Sequence, residues 1–424
     1  MEKALIVTVG FESGFNKTVC EDDMIELRQL VLSTGAVVCG EVFCKCRHPQ
    51  ANLLIGRGKT ETIAEEARRL RAQCVVFDVD LSSTQQRNLE EIIQLKTIDR
   101  TQLILDIFSR RARSLEGKVQ VELAQLTYLL PRLTGKGIVL SRLGGGIGTR
   151  GPGEQKLEAD RRRIRRRISH LKDELKKLKE RRGRLREKRQ AMELPTIALI
   201  GYTNAGKSTL LNRLTGAQAF VADSLFSTLD PLARRLVLPT SQVVLFLDTV
   251  GFLNNLPHHL IEAFHATLEE AAEADLLLHV IDMNDNRMMT HIAAVYRVLE
   301  ELCAMDRKIL TVLNKKDLVE DSDQRSRIEK ETQPDVVISA TRGDGLEKLI
   351  SVIADSLKGL LCRLTACVPA TRQDIVHKLY NWGKVIQRED RDGAVILTAV
   401  MRKHLAQQIV SYYKEDADIS LKNP

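Results

Sequence analysis

The sequence of 424 residues predicts an α/β protein of several domains. Three observations lead to this prediction: apolar runs that end in glycine-rich or polar motifs, a long helical segment with excess positive charge, and alternating short strands and helices on both sides of it. We expect a small N-terminal α/β domain, a long antiparallel helical hairpin, a phosphate-loop domain with a mostly parallel sheet and helices on both faces, and a small C-terminal α+β domain. The expected boundaries are residues 1–113, 114–193, 194–361 and 362–424.

The N-terminal segment alternates strand-like and helical patterns, which is typical of a small α/β domain. The predicted strands are residues 4–9, 36–44 and 74–79, and the predicted helices are residues 22–33 and 61–72. The run Gly56-Arg57-Gly58-Lys59 is similar to a phosphate-binding turn but lacks the spacing of a complete phosphate loop. A nucleotide site and a simple basic turn both remain open for it.

Two helices of the central segment carry narrow apolar seams with alternating four- and three-residue spacing. The seam residues are Val119, Leu123, Leu126, Leu130 and Leu133 in the first helix, and Ile164, Ile168, Leu171, Leu175, Leu178, Leu185 and Met192 in the second. We expect an antiparallel pair whose longer arm, residues 157–189, extends ~50 Å. The glycine-rich loop at residues 135–153 connects the two helices.

The positive charge of the chain is concentrated in this hairpin. Residues 160–189 contain sixteen lysines or arginines and five acids, a net +11, so the rest of the chain carries −3 of the total +8. This imbalance favours RNA binding over a solvated helix face. The segment has no aromatic residues, which favours contacts to the phosphates and shape of folded RNA. The predicted RNA contacts are Lys136, Arg142, Arg150, Arg161, Arg162, Arg163, Arg165, Arg166 and Arg167.

A phosphate loop follows the apolar residues 197–200 and leads into a helical pattern. The predicted nucleotide contacts of this loop are Gly201, Tyr202, Thr203, Asn204, Ala205, Gly206, Lys207, Ser208 and Thr209. Its backbone N–H groups surround the β- and γ-phosphates, Lys207 adds a positive charge, and the Ser208 hydroxyl binds Mg²⁺.

Two downstream segments complete the predicted hydrolysis site. After a buried strand, Asp248 is placed to hold the Mg²⁺ shell and the Gly251 N–H to contact the γ-phosphate, with Thr249 and Val250 between them. Upstream, the Thr228 hydroxyl is a further Mg²⁺ ligand by its order in the chain. Its neighbours Phe226, Ser227, Leu229 and Asp230 are assigned to the same nucleotide-binding segment. Lys207, Thr228 and Gly251 are therefore the expected catalytic residues.

The base is predicted to be guanine, so the ligands are GTP and GDP. Asp317 offers a carboxylate to the guanine N1 and N2 donors, Asn314 connects this loop to the phosphate loop, and the Lys315 stem covers the base beside Lys316. A third strand leads to Ser339, Ala340 and Thr341, where the N–H groups of the first two are expected to bind guanine O6.

Phe252 follows Gly251 where many GTPases carry a glutamine that orients water. Since an aromatic ring cannot polarise water, we expect slow intrinsic turnover that an outside partner accelerates. Asn204 is a candidate to help bind K⁺, which would supply charge; its alternative role is to stabilise the turn.

The C-terminal segment reads as strand, helix, strand, a turn at residues 390–393, strand and helix, with Trp382 in the core and docking as its expected role. The eight cysteines lack metal-site spacing, and no apolar run reaches the ~18 residues of a membrane span. We therefore expect a cytoplasmic protein without a membrane span, monomeric when free.

Several motifs resemble the HflX family of ribosome-associated GTPases along nearly the entire chain. They are residues 54–59, 121–126, 129–133, 144–156 and 160–164. The resemblance implies binding to the 50S ribosomal subunit and its large rRNA, hydrolysis stimulated there, and separation of stalled 70S ribosomes into subunits. It also places the loop at residues 135–153 near the peptidyl-transferase region.

Two other functions remain open from the residues. The chain could be a GTP-controlled switch for a membrane or protein partner, with the seamed helices forming a dimer. Its N-terminal half could instead be an ATP-driven RNA remodeller, although no complete motif supports that reading.

Overall fold

The protein is described by a computed structural model. It covers residues 1–11, 17–133, 152–191, 194–216, 232–239, 242–253, 272–359, 361–391, 393–413 and 418–422. These residues form two compact units, of which the first contains Met1–Lys177 and the second begins at Leu178. Within these residues, no helix is both long enough and apolar enough to span a membrane.

The first unit begins with a parallel four-stranded sheet in the order β2-β1-β3-β4. Its strands β1 to β4 are Lys3–Phe11, Val37–Cys46, Cys74–Phe77 and Lys96–Ile98. Its helices α1 to α4 are Lys17–Ser33, Arg57–Arg69, Ser83–Ile93 and Arg100–Arg111. The sequence predicted the first three strands and the first two helices. Gly56 is the N-cap of α2, so the Gly56-Arg57-Gly58-Lys59 segment begins a helix rather than forming a separate turn.

Two long helices follow, α5 (Leu115–Arg132) and α6 (Pro152–Ala191). The second has 40 residues, or ~60 Å, and is longer at both ends than the predicted arm of residues 157–189. Arg167 of α6 forms two hydrogen bonds with Glu122 of α5, at 2.7 and 2.8 Å. Leu171 is fully buried, which is consistent with a seam between the helices.

The end of α5 is fixed to the small domain by a buried carboxylate. Asp99, at the start of α4, accepts a hydrogen bond from the Tyr128 hydroxyl at 2.8 Å and one from Arg132 Nη2 at 3.0 Å. The Arg132 guanidinium also lies 3.4 Å from the centre of the Tyr128 ring. Hydrogen bonds that involve charged groups are among the stronger ones in proteins, so this contact holds the base of the hairpin firmly.

The second unit contains a six-stranded sheet in the order β10-β9-β8-β5-β7-β6, in which only β6 is antiparallel to its neighbour among the described pairs. Its strands β5 to β10 are Thr196–Ile200, Leu232–Val237, Val243–Asp248, Leu276–Asp282, Lys308–Asn314 and Val336–Val337. Its helices α7 to α10 are Lys207–Thr215, Met288–Glu301, Ser322–Thr332 and Leu346–Lys358. Apolar clusters cover both faces of the sheet, which confirms the predicted α/β fold with its mostly parallel sheet.

The C-terminal segment folds around an antiparallel four-stranded sheet in the order β12-β13-β11-β14. Its elements are β11 (Leu361–Pro369), α11 (Gln373–Trp382), β12 (Gly383–Arg391), β13 (Ala394–Arg402), α12 (Lys403–Tyr413) and β14 (Asp418–Lys422). This is a split β-α-β arrangement. The predicted hairpin is β12–β13, and Trp382 packs against the core as expected, whereas the sequence did not predict β14.

Candidate nucleotide site

The site lies at the carboxyl edge of the six-stranded sheet. Strands β5, β7, β8 and β9 are parallel neighbours, so the segments that follow them meet at one edge. The phosphate loop follows β5, Asp248 ends β7, and Asn314 ends β9. The predicted motifs therefore lie at one edge although more than a hundred residues separate the first from the last.

Gly206 ends the phosphate loop in a conformation that favours glycine. Its φ is +92°, and a Cβ at this position would lie 2.3 Å from Asn314 Nδ2. It is the N-cap of α7, whose first residue is Lys207, so the positive end of the helix dipole faces the loop. This combination is a ready-made binding site for phosphate groups.

Lys207 is buried inside the loop. Its Nζ donates hydrogen bonds to the carbonyl oxygens of Gly201 at 3.0 Å and Tyr202 at 2.7 Å. Burial lowers the pKa of Lys207 to about 8, while the Asp248 carboxylate acts in the opposite direction. Phosphate oxygens would supply the counter-charge that favours its protonated form.

Ser208 and Asp248 form a buried pair of oxygen ligands. The Ser208 hydroxyl donates to Asp248 Oδ2 at 2.6 Å. A hydroxyl and a carboxylate are ligands that Mg²⁺ prefers, and their proximity fits the Mg²⁺ role predicted for both. Thr249 has a different contact, because its hydroxyl donates to the Leu199 carbonyl at 2.6 Å and so fixes the end of β7 against β5.

Gly251 and Phe252 lie directly against the phosphate loop. A Cβ on Gly251 would be 2.8 Å from Thr203 Cα and 3.1 Å from Lys207 Nζ, so only glycine fits here without displacing the loop. The Phe252 N–H donates to the Gly201 carbonyl at 3.1 Å, and its carbonyl accepts from the Thr203 N–H at 2.8 Å. The Phe252 side chain is only 2% exposed and belongs to an apolar cluster that includes Ala198 and Leu247.

Asn314 connects three segments, as its position in the sequence predicted. Its Nδ2 donates to the Ala205 carbonyl at 2.9 Å, and its Oδ1 accepts from the Ala340 N–H at 3.0 Å. The side chain is buried. One amide group thus sets the distance between the phosphate loop and the predicted base-binding loops.

Asp317 is held by the segment that follows β10. The Ser339 side chain, as a hydrogen-bond partner, is the main reason that the pKa of Asp317 lies below its usual value. The Thr341 hydroxyl lies 3.4 Å from Asp317 Oδ2. A carboxylate held ionised here suits a ligand edge that offers two N–H donors.

Lys315 and Lys316 have separate roles in this loop. Lys315 has a φ of +65°, and its Nζ forms a 2.7 Å ion pair with Asp282 at the end of β8. The Lys316 N–H donates to the Ile338 carbonyl at 3.1 Å. The ion pair fixes the Lys315 stem in the loop that is predicted to bind the base, and Asp282 was not among the residues predicted for the site.

The two N–H groups predicted to bind guanine O6 have hydrogen-bond acceptors within the protein. The Ser339 N–H donates to the Asp344 carbonyl at 3.0 Å, and the Ala340 N–H donates to Asn314. Both N–H groups expected to bind guanine O6 therefore already have acceptors within the protein. A base carbonyl at this place would have to share the Ala340 N–H with Asn314.

A stack of two rings supports the phosphate loop from α8. The Tyr202 and His291 rings are parallel, 3.6 Å apart, and His291 Nδ1 forms a hydrogen bond with Asp285. Deeper in the same sheet, burial lowers the pKa of His279 to about 4, so this side chain is neutral. Tyr202 was predicted as part of the phosphate loop, but His291, Asp285 and His279 were not predicted, because their contacts depend on tertiary packing.

Several predicted residues lie outside the part that the structure describes. They are Phe226, Ser227, Thr228, Leu229 and Asp230 of the nucleotide site and Lys136, Arg142 and Arg150 of the hairpin loop. The arginines of α6 are described. Arg162, Arg163, Arg165 and Arg166 are exposed, Arg161 is half-buried, and Arg167 is committed to Glu122.

Four known family descriptions match consecutive parts of the chain. Residues 21–109 match the family described as GTP-binding GTPase N-terminal, and residues 111–189 match GTP-binding GTPase Middle Region. Residues 196–315 match 50S ribosome-binding GTPase, and residues 325–411 match HflX C-terminal domain. The third match contains the phosphate loop, Asp248 and Asn314.

Curated relatives match over nearly the full length. GTPase HflX of Caldanaerobacter subterraneus subsp. tengcongensis is 43% identical over 414 residues, which cover 97% of this chain and 94% of that protein. GTPase HflX of Escherichia coli strain K12 is 41% identical over 403 residues, which cover 94% of this chain and 93% of that protein. The chain therefore belongs to the HflX family of GTPases, and its chemistry is the hydrolysis of GTP.

Proposed function

We propose that this GTPase binds the large ribosomal subunit through its basic hairpin and, when it holds GTP, separates stalled or idle 70S ribosomes into subunits. The ribosome then stimulates hydrolysis and releases the factor. The protein acts in the cytoplasm, and the free protein is a monomer. The observation that carries the proposal is the confinement of the excess positive charge to one helix, together with the match of residues 196–315 to 50S ribosome-binding GTPases.

In the proposed nucleotide site, each segment at the edge of the sheet has its own role. The phosphate loop and Lys207 bind the β- and γ-phosphates, and Asp317 with the Lys315 stem selects guanine. The Ser208 hydroxyl and Asp248 Oδ2, whose oxygens are 2.6 Å apart, would hold Mg²⁺ together with Thr228. When bound, the ion neutralises charge that develops on the phosphate oxygens.

Groups of the chain itself stabilise the hydrolysis step. Lys207 and the N–H groups of the loop stabilise the transferring phosphoryl group, and the Gly251 N–H senses the γ-phosphate. Phe252 is buried in the core, so its ring has no part in activating water. Slow intrinsic turnover and acceleration by a partner are what this arrangement supports.

A monovalent cation at Asn204 is the further part of the nucleotide site that we propose. Asn204 is exposed at the middle of the phosphate loop and has a φ of +62°. A K⁺ ion beside its side-chain oxygen would add positive charge next to the phosphates. Equal turnover in K⁺ and Na⁺ buffers would rule out this ion.

The RNA half of the proposal rests on the exposed arginines of α6. Arg162, Arg163 and Arg166 face solvent on a helix with an excess of eleven positive charges between residues 160 and 189. Such a surface suits the phosphates of folded RNA. Arg167 differs, because its two hydrogen bonds to Glu122 support the hairpin itself.

Coupling of GTP hydrolysis to ribosome splitting requires that the affinity of the protein for the ribosome differs between its nucleotide states. GTP holds the segments around Thr228 and Gly251 in a form that fits the ribosome, and binding energy then displaces the small subunit. Hydrolysis removes the γ-phosphate and weakens the fit. A Lys207 or Asp248 variant that split ribosomes without any nucleotide would contradict this gating.

Sedimentation of 70S ribosomes with the protein and a non-hydrolysable GTP analogue tests the proposal. The expected result is conversion of the 70S peak into 50S and 30S peaks by the intact chain. Deletion of residues 135–153 is expected to abolish splitting while intrinsic GTP hydrolysis continues. Intact 70S ribosomes with every nucleotide, or equal splitting by the deletion variant, would overturn the proposal. A dimer in light scattering with salt-insensitive partner binding would favour the switch for a protein partner.

A further inference from the structure

The Thr203 side chain has an unusual position in the phosphate loop. The residue is 7% exposed, and its hydroxyl oxygen is buried without a hydrogen-bond partner among the described residues. A buried hydroxyl that lacks a partner costs roughly 1–3 kcal/mol. Such a group is most easily explained when a ligand or a water molecule is its partner during function.

The surroundings of Thr203 place it at the reacting end of the site. A Cβ built on Gly251 would lie 2.8 Å from both Thr203 Cα and Thr203 Cγ2, and 3.1 Å from Lys207 Nζ. The Thr203 backbone and methyl group therefore lie directly against Gly251, and the hydroxyl is carried by the same Cβ as this methyl group. As a β-branched residue, threonine has few rotamers, so its hydroxyl has a restricted set of directions.

The other hydroxyl groups nearby already form hydrogen bonds within the protein, and the nearby aromatic ring is packed in an apolar cluster. The Thr249 hydroxyl donates to Leu199, and the Ser208 hydroxyl donates to Asp248. Phe252 occupies the glutamine position and is buried in the apolar cluster. Of the Thr203, Ser208 and Thr249 hydroxyls, only that of Thr203 is buried without a hydrogen-bond partner among the described residues, which leaves it available to a water molecule.

We propose that the Thr203 hydroxyl orients the water molecule that attacks the γ-phosphorus. This inference rests on the nucleotide site proposed above. Thr203 Oγ1 accepts a hydrogen bond from the water, whose oxygen forms a bond to the γ-phosphorus. The bond between the γ-phosphorus and the β–γ bridging oxygen breaks, and its electron pair leaves with GDP. The water protons stay with the phosphate product, so Thr203 positions the nucleophile and does not act as a base.

Three substitutions of Thr203 distinguish the effect of its hydroxyl from the effect of its methyl group. Thr203→Val keeps the shape and removes the hydroxyl, Thr203→Ser keeps the hydroxyl and removes the methyl, and Thr203→Ala removes both. Each variant is measured for single-turnover GTP hydrolysis with and without 50S subunits, for GDP affinity, and for thermal unfolding. These readouts separate loss of chemistry from loss of binding or folding.

The expected result is a fall of about tenfold or more in the hydrolysis rate of Thr203→Val. Its GDP affinity should stay within about twofold of that of the unmodified chain, and Thr203→Ser should keep most of the activity. If Thr203→Val folds poorly, the rate ratio of Thr203→Ser to Thr203→Ala gives the same comparison. Equal rates with and without the hydroxyl would overturn the inference alone, whereas failure of the unmodified chain to bind GDP would overturn the nucleotide site.

Discussion

The Thr203 N–H donates a 2.8 Å hydrogen bond to the carbonyl oxygen of Phe252. Together with the bond from the Phe252 N–H to the Gly201 carbonyl, it joins the phosphate loop to the segment after β7. The Phe252 side chain points away from this contact into the apolar cluster. The residue at the glutamine position thus anchors Gly251 against the phosphate loop.

Substitution of Phe252 by glutamine should therefore not create a faster enzyme. The amide would enter an apolar cluster, and we expect a loss of roughly 2–4 kcal/mol in the free energy of unfolding. Urea unfolding and the intrinsic GTPase rate measure both effects. A Phe252→Gln protein with unchanged stability and a tenfold higher rate would show that the side chain can reach the site.

Asp317→Asn should exchange guanine for xanthine specificity. In the proposed site the Asp317 carboxylate accepts hydrogen bonds from two donors of the base. Asparagine presents one donor and one acceptor, which would match a base with a carbonyl in place of the amino group. We expect GTP affinity to fall by about a hundredfold or more and XTP affinity to rise. Asp321→Asn, at the N-cap of α9, is the control and should leave the preference for GTP unchanged. Equal loss of both nucleotides would mean that Asp317 only supports the loop.

The exposed arginines of α6 should control the salt dependence of ribosome binding. Replacement of Arg162, Arg163 and Arg166 by glutamine should weaken 50S binding at 150 mM salt by roughly tenfold or more. Each lost phosphate contact should also reduce the slope of log affinity against log salt by about 0.7–0.9. Arg113→Gln, in the segment before α5, is the control outside α6. An unchanged slope would remove these arginines from the RNA interface.

Asp78 in the N-terminal sheet is expected to make the stability of the folded chain depend on pH. Burial raises the pKa of Asp78 from 3.8 to about 7, with Asp23 acting in the same direction and Arg100 in the opposite one. The folded chain then keeps a proton that the unfolded chain has released, so stability falls as the pH rises from about 4 to about 7. Asp78→Asn is neutral throughout and can still accept from the Val9 N–H, which donates to Asp78 at 3.0 Å.

The advantage of Asp78→Asn over the unmodified chain in the free energy of unfolding should grow by roughly 2–3 kcal/mol between pH 5 and pH 8, at about 1.4 kcal/mol per pKa unit. The first thermal unfolding transition at the two pH values measures it. A difference between the proteins that is the same at pH 5 and pH 8 would show that Asp78 is ionised at both.

The sequence predicted the phosphate loop well because its geometry is local. Glycine spacing and the adjoining strand and helix define that loop, and parallel strands bring Asp248 and Asn314 to the same edge. The Asn314 contacts could be anticipated from this convergence. The pairing of Lys315 with Asp282 could not, because β8 ends without a recognisable motif.

The elements that the sequence analysis missed have weak local patterns. Strand β6, Leu232–Val237, alternates half-buried and exposed residues at the edge of the sheet, and Arg234 and Arg235 lie within it. The apolar run of strand β8 is interrupted by a buried histidine, His279, although the strand itself is continuous. The stack of Tyr202 on His291 depends on tertiary packing, which periodicity does not encode.

The central claim is that the guanine nucleotide decides when the basic hairpin engages the ribosome. Its most direct test is the equilibrium affinity of the purified protein for 50S subunits with a non-hydrolysable GTP analogue, with GDP and without nucleotide, at one fixed salt concentration. We expect binding with the GTP analogue to be at least about tenfold tighter than with GDP, which corresponds to a coupling free energy of ~1.4 kcal/mol. Equal affinity in the three states would contradict the claim.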